Sequence, residues 1–187
     1  MNRPEFSLSR LLGRLVEADV DFVVVGGVAV IVQASPRFTK DLDICYALGE
    51  ANLDRLGAVL IQLGARLRGV EEDLPFVPDR LTLRHVQMLT LTTPDGDIDL
   101  LVDPDGSPGY AALRRNASRV DLDGVTVLIA SIDDMIAMKR ASGRPQDLVD
   151  LESLEIARRR VHRRKPARQQ RARTRRDAGG PGGTPAR

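Results

Sequence analysis

The sequence predicts a mixed α/β (α+β) domain, with a partly antiparallel sheet flanked by helices and a disordered basic tail behind it. Three observations point there. The β-branched run "VDFVVV" stops at a double glycine. Two pairs of strand-like runs are joined by short turns of Pro, Asp and Gly, the signature of antiparallel hairpins. Between and around them lie Leu-rich stretches with helical spacing.

In chain order, "SLSRLLGRLVEAD" (7–19) places Leu8, Leu11, Leu12 and Leu15 on one helical face behind Ser7, a capping residue. Residues 20–27 form a buried strand ended by Gly26 and Gly27, and residues 28–34 suffice for two helical turns before Pro36. "DLDICYAL" (41–48) reads as a strand at the edge of a site, and residues 50–67 as an amphipathic helix. Two prolines and mixed polarity make residues 68–80 a loop. Residues 84–103 form a hairpin turning at Pro94-Asp95-Gly96, and residues 119–131 a second one turning at Asp123-Gly124. Ser131 caps a helix that Gly143 ends, and Pro145 opens another at the position where a missing N–H costs least.

Length and charge set the limits. The chain has 187 residues and a formal charge of +2, but the charge is divided. Residues 158–187 carry 12 Lys/Arg and one acid, Asp177, whereas residues 1–157 carry 16 basic and 25 acidic side chains. The first part has the size of one ordinary domain. The second has no apolar periodicity and ends in Gly and Pro, so disorder is the expectation there. Its arginines fit contact with nucleic acid. They fit equally a compositional bias, since the whole chain has 25 Arg and only 3 Lys and the tail lacks aromatic residues for stacking on bases. No apolar run reaches the roughly 18 residues of a membrane span, and the N-terminus has no apolar leader. The single cysteine, Cys45, excludes an intrachain disulfide and reads as a buried small hydrophobe. A cytoplasmic, reducing location is expected.

The chemistry concentrates in "VVVGGVAVIVQASPRFTKDLDICY". Strand side chains alternate faces, so Asp41 and Asp43 project together while Leu42 and Ile44 turn into the core. Neighbouring carboxylates repel, and a cation offsets that repulsion. Mg²⁺ takes oxygen ligands and binds through a few carboxylates plus substrate phosphates. "GDIDLLV" supplies a third carboxylate, Asp99, between Ile98 and Leu100, with Asp97 on the same face. Gly26 and Gly27 let backbone N–H groups approach a phosphate, and the planar fork of Arg37 is suited to phosphate oxygens. The tripeptide alone proves nothing: "DLDG" at 121–124 repeats it and is a hairpin turn.

The order Gly-Gly, spacer, Asp-x-Asp, then a distant Asp between apolar residues resembles the nucleotidyltransferase superfamily, with its polymerase-β-like fold. "GGVAV", "RFTKDLDI" and "DDMIAMKRASGRPQDLVDLESL" are most similar to the abortive-infection toxin nucleotidyltransferases of bacterial toxin–antitoxin systems. The likeness covers residues 10–157.

That resemblance implies transfer of a nucleoside monophosphate from an NTP, such as ATP, to a hydroxyl on a tRNA, a protein or a small molecule. It implies Mg²⁺ or Mn²⁺ held by Asp41, Asp43 and Asp99, with Asp99 also acting on the incoming hydroxyl. Gly26, Gly27 and Arg37 would hold phosphates, and Lys139 and Asp147 would lie near the nucleotide. A cognate antitoxin is the implied partner. The competing expectation is a catalytically degenerate member that binds nucleotide or a partner protein.

Overall fold

The computed structural model describes residues 6–70 and 76–177, by backbone alone for residue 162 and residues 164–177. Seven strands form one mixed sheet in the order β3-β4-β5-β2-β1-β7-β6. In chain order the strands are β1 (Phe22–Val24), β2 (Asp41–Tyr46), β3 (Arg66–Leu67), β4 (Met88–Thr93), β5 (Gly96–Leu101), β6 (Ser118–Leu122) and β7 (Val125–Ile129). Both expected hairpins form, β4 with β5 and β6 with β7. Antiparallel pairing also joins β1 to β2 and β3 to β4. The two parallel contacts, β2 with β5 and β1 with β7, lie in the middle of the sheet.

The helices are α1 (Leu8–Glu17), α2 (Gly26–Gln33), α3 (Glu50–Gln62), α4 (Arg80–His85), α5 (Tyr110–Asn116), α6 (Ile132–Ser142) and α7 (Pro145–Asp177). The leucines of α1 that share a face, Leu11, Leu12 and Leu15, are fully buried, as are Leu53, Leu56 and Leu60 of α3. They join the strand residues Val23, Val24, Leu42, Ile44 and Ile98 in one core. On the site side, α2, α6 and α7 touch one another.

Several boundaries differ from the sequence reading, each for a local reason. Gly26 and Gly27 belong to α2 and not to β1, because Gly26 takes a φ of +58° that turns the chain out of the strand. Helix α3 stops at Gln62, since Gly64 adopts a left-handed conformation (φ +61°). The chain then returns as the short edge strand β3. Helix α4 takes the last residue of the expected loop and the first two of the expected hairpin, and its start is marked by Asp79, whose carboxylate accepts from the Thr82 N–H at 2.7 Å. The first hairpin turns on Pro94 and Asp95 alone, with Gly96 already paired to Thr93. Of the loop expected over 68–80, residues 71–75 lie outside the described residues.

Helix α7 continues to Asp177, past the boundary expected at 157. Ala, Arg, Gln and Lys in this stretch are all favourable helix formers. Among the described side chains of α7, however, the last buried one is Leu154. In the basic segment, the described side chains, those of residues 158–161 and 163, are not buried. Among the described residues no helix is long and apolar enough to cross a membrane.

Candidate active site

The parallel register of β2 and β5 decides where the acids fall. Asp43 stands opposite Asp99, and Asp41 opposite Asp97. Leu42 and Ile44 between them are fully buried, as period-two alternation requires. The three acids singled out in the sequence therefore share one face of two adjacent central strands.

Asp43 carries the strain of this arrangement. Its carboxyl is pushed from its ordinary value of 3.8 to about 6, first by burial and then by the charges of Asp41 and Asp99. The Gly27 N–H donates to its Oδ2 at 3.3 Å and opposes that rise. Asp41 is held by the Thr39 hydroxyl, which donates to Oδ1 at 3.0 Å. Asp99 is 8% exposed, and burial raises its carboxyl too. Arg68 opposes this, donating from one guanidinium nitrogen to both Asp99 oxygens at 2.7 and 2.9 Å. The same guanidinium reaches Asp97 at 3.4 Å.

The glycines are required by contact. A Cβ on Gly26 would overlap the Asp43 carboxylate, and one on Gly27 would meet the Thr39 hydroxyl and lie 2.9 Å from Arg37 Nη2. The first turn of α2 therefore lies directly against the acids and Arg37.

A second charged cluster closes the other wall. Lys139 of α6, 8% exposed, pairs with Asp147 at 2.7 Å and Asp150 at 2.9 Å, both on α7. Arg37 pairs with Asp150 at 3.1 Å, and Arg144 with Asp147 at 3.2 Å. Burial acts to raise the Asp147 carboxyl, but hydrogen bonds from Lys139, Ser142 and Arg144 prevail and bring it down to about 2. Asp147 thus reaches the site as the partner of Lys139.

Between the two clusters lies a cavity of about 440 Å³ lined by Gly26, Gly27, Arg37, Asp41, Asp43, Asp99, Lys139 and Asp147, with Thr39, Lys40 and Arg144 among the other lining residues. All eight residues singled out in the sequence line it. A neighbouring cleft of about 260 Å³, with Val25, Met88, Leu101, Met135 and Met138 on its apolar side, shares Gly26, Asp43, Asp99, Lys139 and Arg144 with it. A larger cleft of about 630 Å³ beside α1 contains none of these acids.

Sequence reasoning missed Arg68, Thr39, Arg144 and Asp150. Arg68 sits in a segment without a recognisable pattern. Asp150 carried a usable signal: it follows Asp147 by three residues, which puts both on one helix face.

Carboxylate oxygens are the donors that hard divalent cations take, and a cation offsets the repulsion that raises Asp43. The residues present, three carboxylates lining one cavity, fit such an ion in type. Among the described residues no three such side chains converge on one point as they stand, and the Asp99 carboxylate is engaged by Arg68.

The fold is that of nucleotidyltransferases. An antibiotic-resistance factor, ANT(2'')-Ia, matches with a TM-score of 0.50 at 17% identity, over 89% of this chain and 95% of that one. The lincosamide antibiotic adenylyltransferase LnuA matches with a TM-score of 0.54 at 12% identity, over 81% of this chain and 98% of that one. At such identities the likeness concerns fold alone. Residues 10–180 match the family described as "Nucleotidyl transferase AbiEii toxin, Type IV TA system", and the chain belongs to that family. No curated protein matches it in sequence.

Proposed function

We propose that the chain transfers a nucleoside monophosphate from an NTP to an acceptor hydroxyl, with Asp41, Asp43 and Asp99 holding Mg²⁺ or Mn²⁺. The observation that carries this is the register pairing of Asp43 with Asp99 beside the first turn of α2. When bound, the divalent ions supply charge neutralisation at the triphosphate and at the reacting oxygens.

The chain's own residues do the rest. The N-terminal turn of α2 offers backbone N–H groups to phosphate oxygens. Arg37 and Lys139 add positive charge on the same side of the cavity. Asp99 stands by the acceptor and takes the hydroxyl proton. The acceptor oxygen bonds to the α-phosphorus, the bond from that phosphorus to the bridging oxygen of the β-phosphate breaks, and pyrophosphate leaves with the electron pair. The proposed acceptor is a hydroxyl on a tRNA, a protein or a small molecule. A cognate antitoxin is the partner proposed from the family. The basic segment after residue 157 is proposed as a surface for nucleic acid, and the cytoplasm as the location.

The Arg68–Asp99 pair, in which one nitrogen engages both carboxylate oxygens, favours a second reading, a degenerate member that binds nucleotide without turnover. Incubation with each labelled NTP, Mg²⁺ and separate RNA, protein and small-molecule fractions distinguishes the two. Active enzyme labels one fraction, and Asp43→Asn abolishes the label. If no nucleotide gives Asp43-dependent transfer, the catalytic reading is wrong.

A further inference from the structure

Asp150 is 1% exposed and does not line the cavity, yet it holds two cations that do. Its Oδ1 lies 3.1 Å from Arg37 Nε and its Oδ2 2.9 Å from Lys139 Nζ. These partners come from different places: Arg37 from the segment between α2 and β2, Lys139 from α6, and Asp150 itself from α7. One buried carboxylate thus ties three parts of the chain together behind the cavity wall.

From this geometry we infer that Asp150 is a positioning residue, fixing the Arg37 guanidinium and the Lys139 ammonium where a triphosphate is bound. The inference rests on the nucleotidyl-transfer reading. Arg37 places Nη2 against Gly27 in the first turn of α2 while its Nε faces Asp150. The guanidinium therefore spans from the buried acid to the phosphate-facing turn. Neither Arg37 Nε nor Asp150 Oδ2 makes an aligned hydrogen bond, although both atoms are buried. The contacts are close charge pairings, at 3.1 and 2.9 Å, short of hydrogen-bond alignment, and site contacts often reach full alignment only with substrate bound.

A role in stability alone does not account for the arrangement. Burying a carboxylate carries a large desolvation cost, and an apolar side chain packs such a position at least as well. What an apolar residue cannot do is hold two cations at fixed separation. Asp147 and Arg144 do not duplicate this, because neither is paired with Arg37.

Charge and position make opposite predictions for Asp150→Asn. The substitution removes one negative charge, so charge alone gives tighter triphosphate binding. Loss of positioning gives weaker binding and slower transfer. The experiment measures calorimetric binding of an α,β-methylene NTP with Mg²⁺, together with kcat and KM for label transfer. It uses the full chain, Asp150→Asn, Asp150→Glu, Arg37→Lys and the Arg37→Lys/Asp150→Asn double variant.

Asp150→Asn should weaken binding on the order of tenfold and lower kcat as well, since displacements near 1 Å cost up to about a hundredfold. Asp150→Glu keeps the charge and should recover part of the loss. The double variant should bind no more weakly than Arg37→Lys alone, because both changes break one contact. Tighter binding, unchanged binding and turnover with only a lower Tm, or full additivity in the double variant each overturn the inference. Should Asp150→Asn not fold, Arg37→Lys tests the same contact with Asp150 intact, and wild-type binding there overturns it. If the unsubstituted chain binds no triphosphate, the nucleotidyl-transfer reading fails, and the inference with it.

Discussion

Arg68 Nη2 donates to both oxygens of Asp99, at 2.7 and 2.9 Å. The proposed cation and this guanidinium therefore compete for one carboxylate. Arg68→Ala should raise Mn²⁺ affinity in the absence of nucleotide. The pair is partly exposed on the Arg68 side, its side chain 32% exposed against 11% for the Asp99 side chain, so its worth is about 0.5 to 1 kcal/mol, or roughly two- to fivefold in affinity. Titration followed by Mn²⁺ electron paramagnetic resonance reads this directly. A fall in affinity means that Arg68 helps to build the site instead of competing for it.

Asp43 should make the fold less stable at neutral pH. Below 3.8 its carboxyl is protonated in both the folded and the unfolded chain and contributes nothing. Between 3.8 and about 6 only the unfolded chain loses the proton, and above about 6 the folded chain bears the whole penalty. That interval corresponds to roughly 3 kcal/mol. Asp43→Asn, measured with chelator present, should raise Tm by on the order of 5 to 10 °C at pH 8 and hardly at all at pH 4. An equal change at both pH values rules out the carboxylate repulsion as its source.

Gly26→Ala should abolish transfer while leaving most secondary structure in place. The new Cβ overlaps the Asp43 carboxylate and is held at a φ of +58°, a left-handed conformation that costs about 1 to 2 kcal/mol for a residue with a Cβ. Circular dichroism together with the transfer assay checks it. Retained activity shows that Asp43 has room to move, and that its present position is not needed.

Lys139→Ala leaves two buried acids short of a cation. Arg37 and Arg144 remain beside Asp150 and Asp147, so the loss should be about 3 kcal/mol, the lower end for breaking a buried pair. Asp147, held near 2, stabilises the fold above its ordinary 3.8, and that stability is lost as pH falls from 3.8 towards 2. Urea unfolding at pH 7 and pH 2.5 should therefore show a smaller difference between wild type and variant at the lower pH.

Local rules reached far into this site. Period-two alternation put Asp41 and Asp43 together, and turn chemistry separated them from Asp121 and Asp123. In the structure Asp121 accepts from the Gly124 N–H within that turn, and Asp123 sits at a φ of +53°. Ser131 and Gly143 bound α6 as expected. What stayed hidden depends on distance along the chain. The parallel pairing of β2 with β5 joins segments 56 residues apart, from Asp43 to Asp99, and no turn signal announces it. Arg68 finds Asp99 only because β3 returns to the sheet edge, and that strand is two residues long. Asp150 was within reach, since helical spacing pairs it with Asp147, but its partner Arg37 lies more than a hundred residues away.

The central claim is that the α-phosphate moves and that Asp43 is needed for it. Parallel reactions with α-labelled and γ-labelled NTP, Mg²⁺ and the acceptor fraction test it most directly. Label should appear in the acceptor from the α-position and in pyrophosphate from the γ-position, and in neither with Asp43→Asn. Transfer of γ-label to the acceptor, or transfer of α-label undiminished in Asp43→Asn, contradicts it.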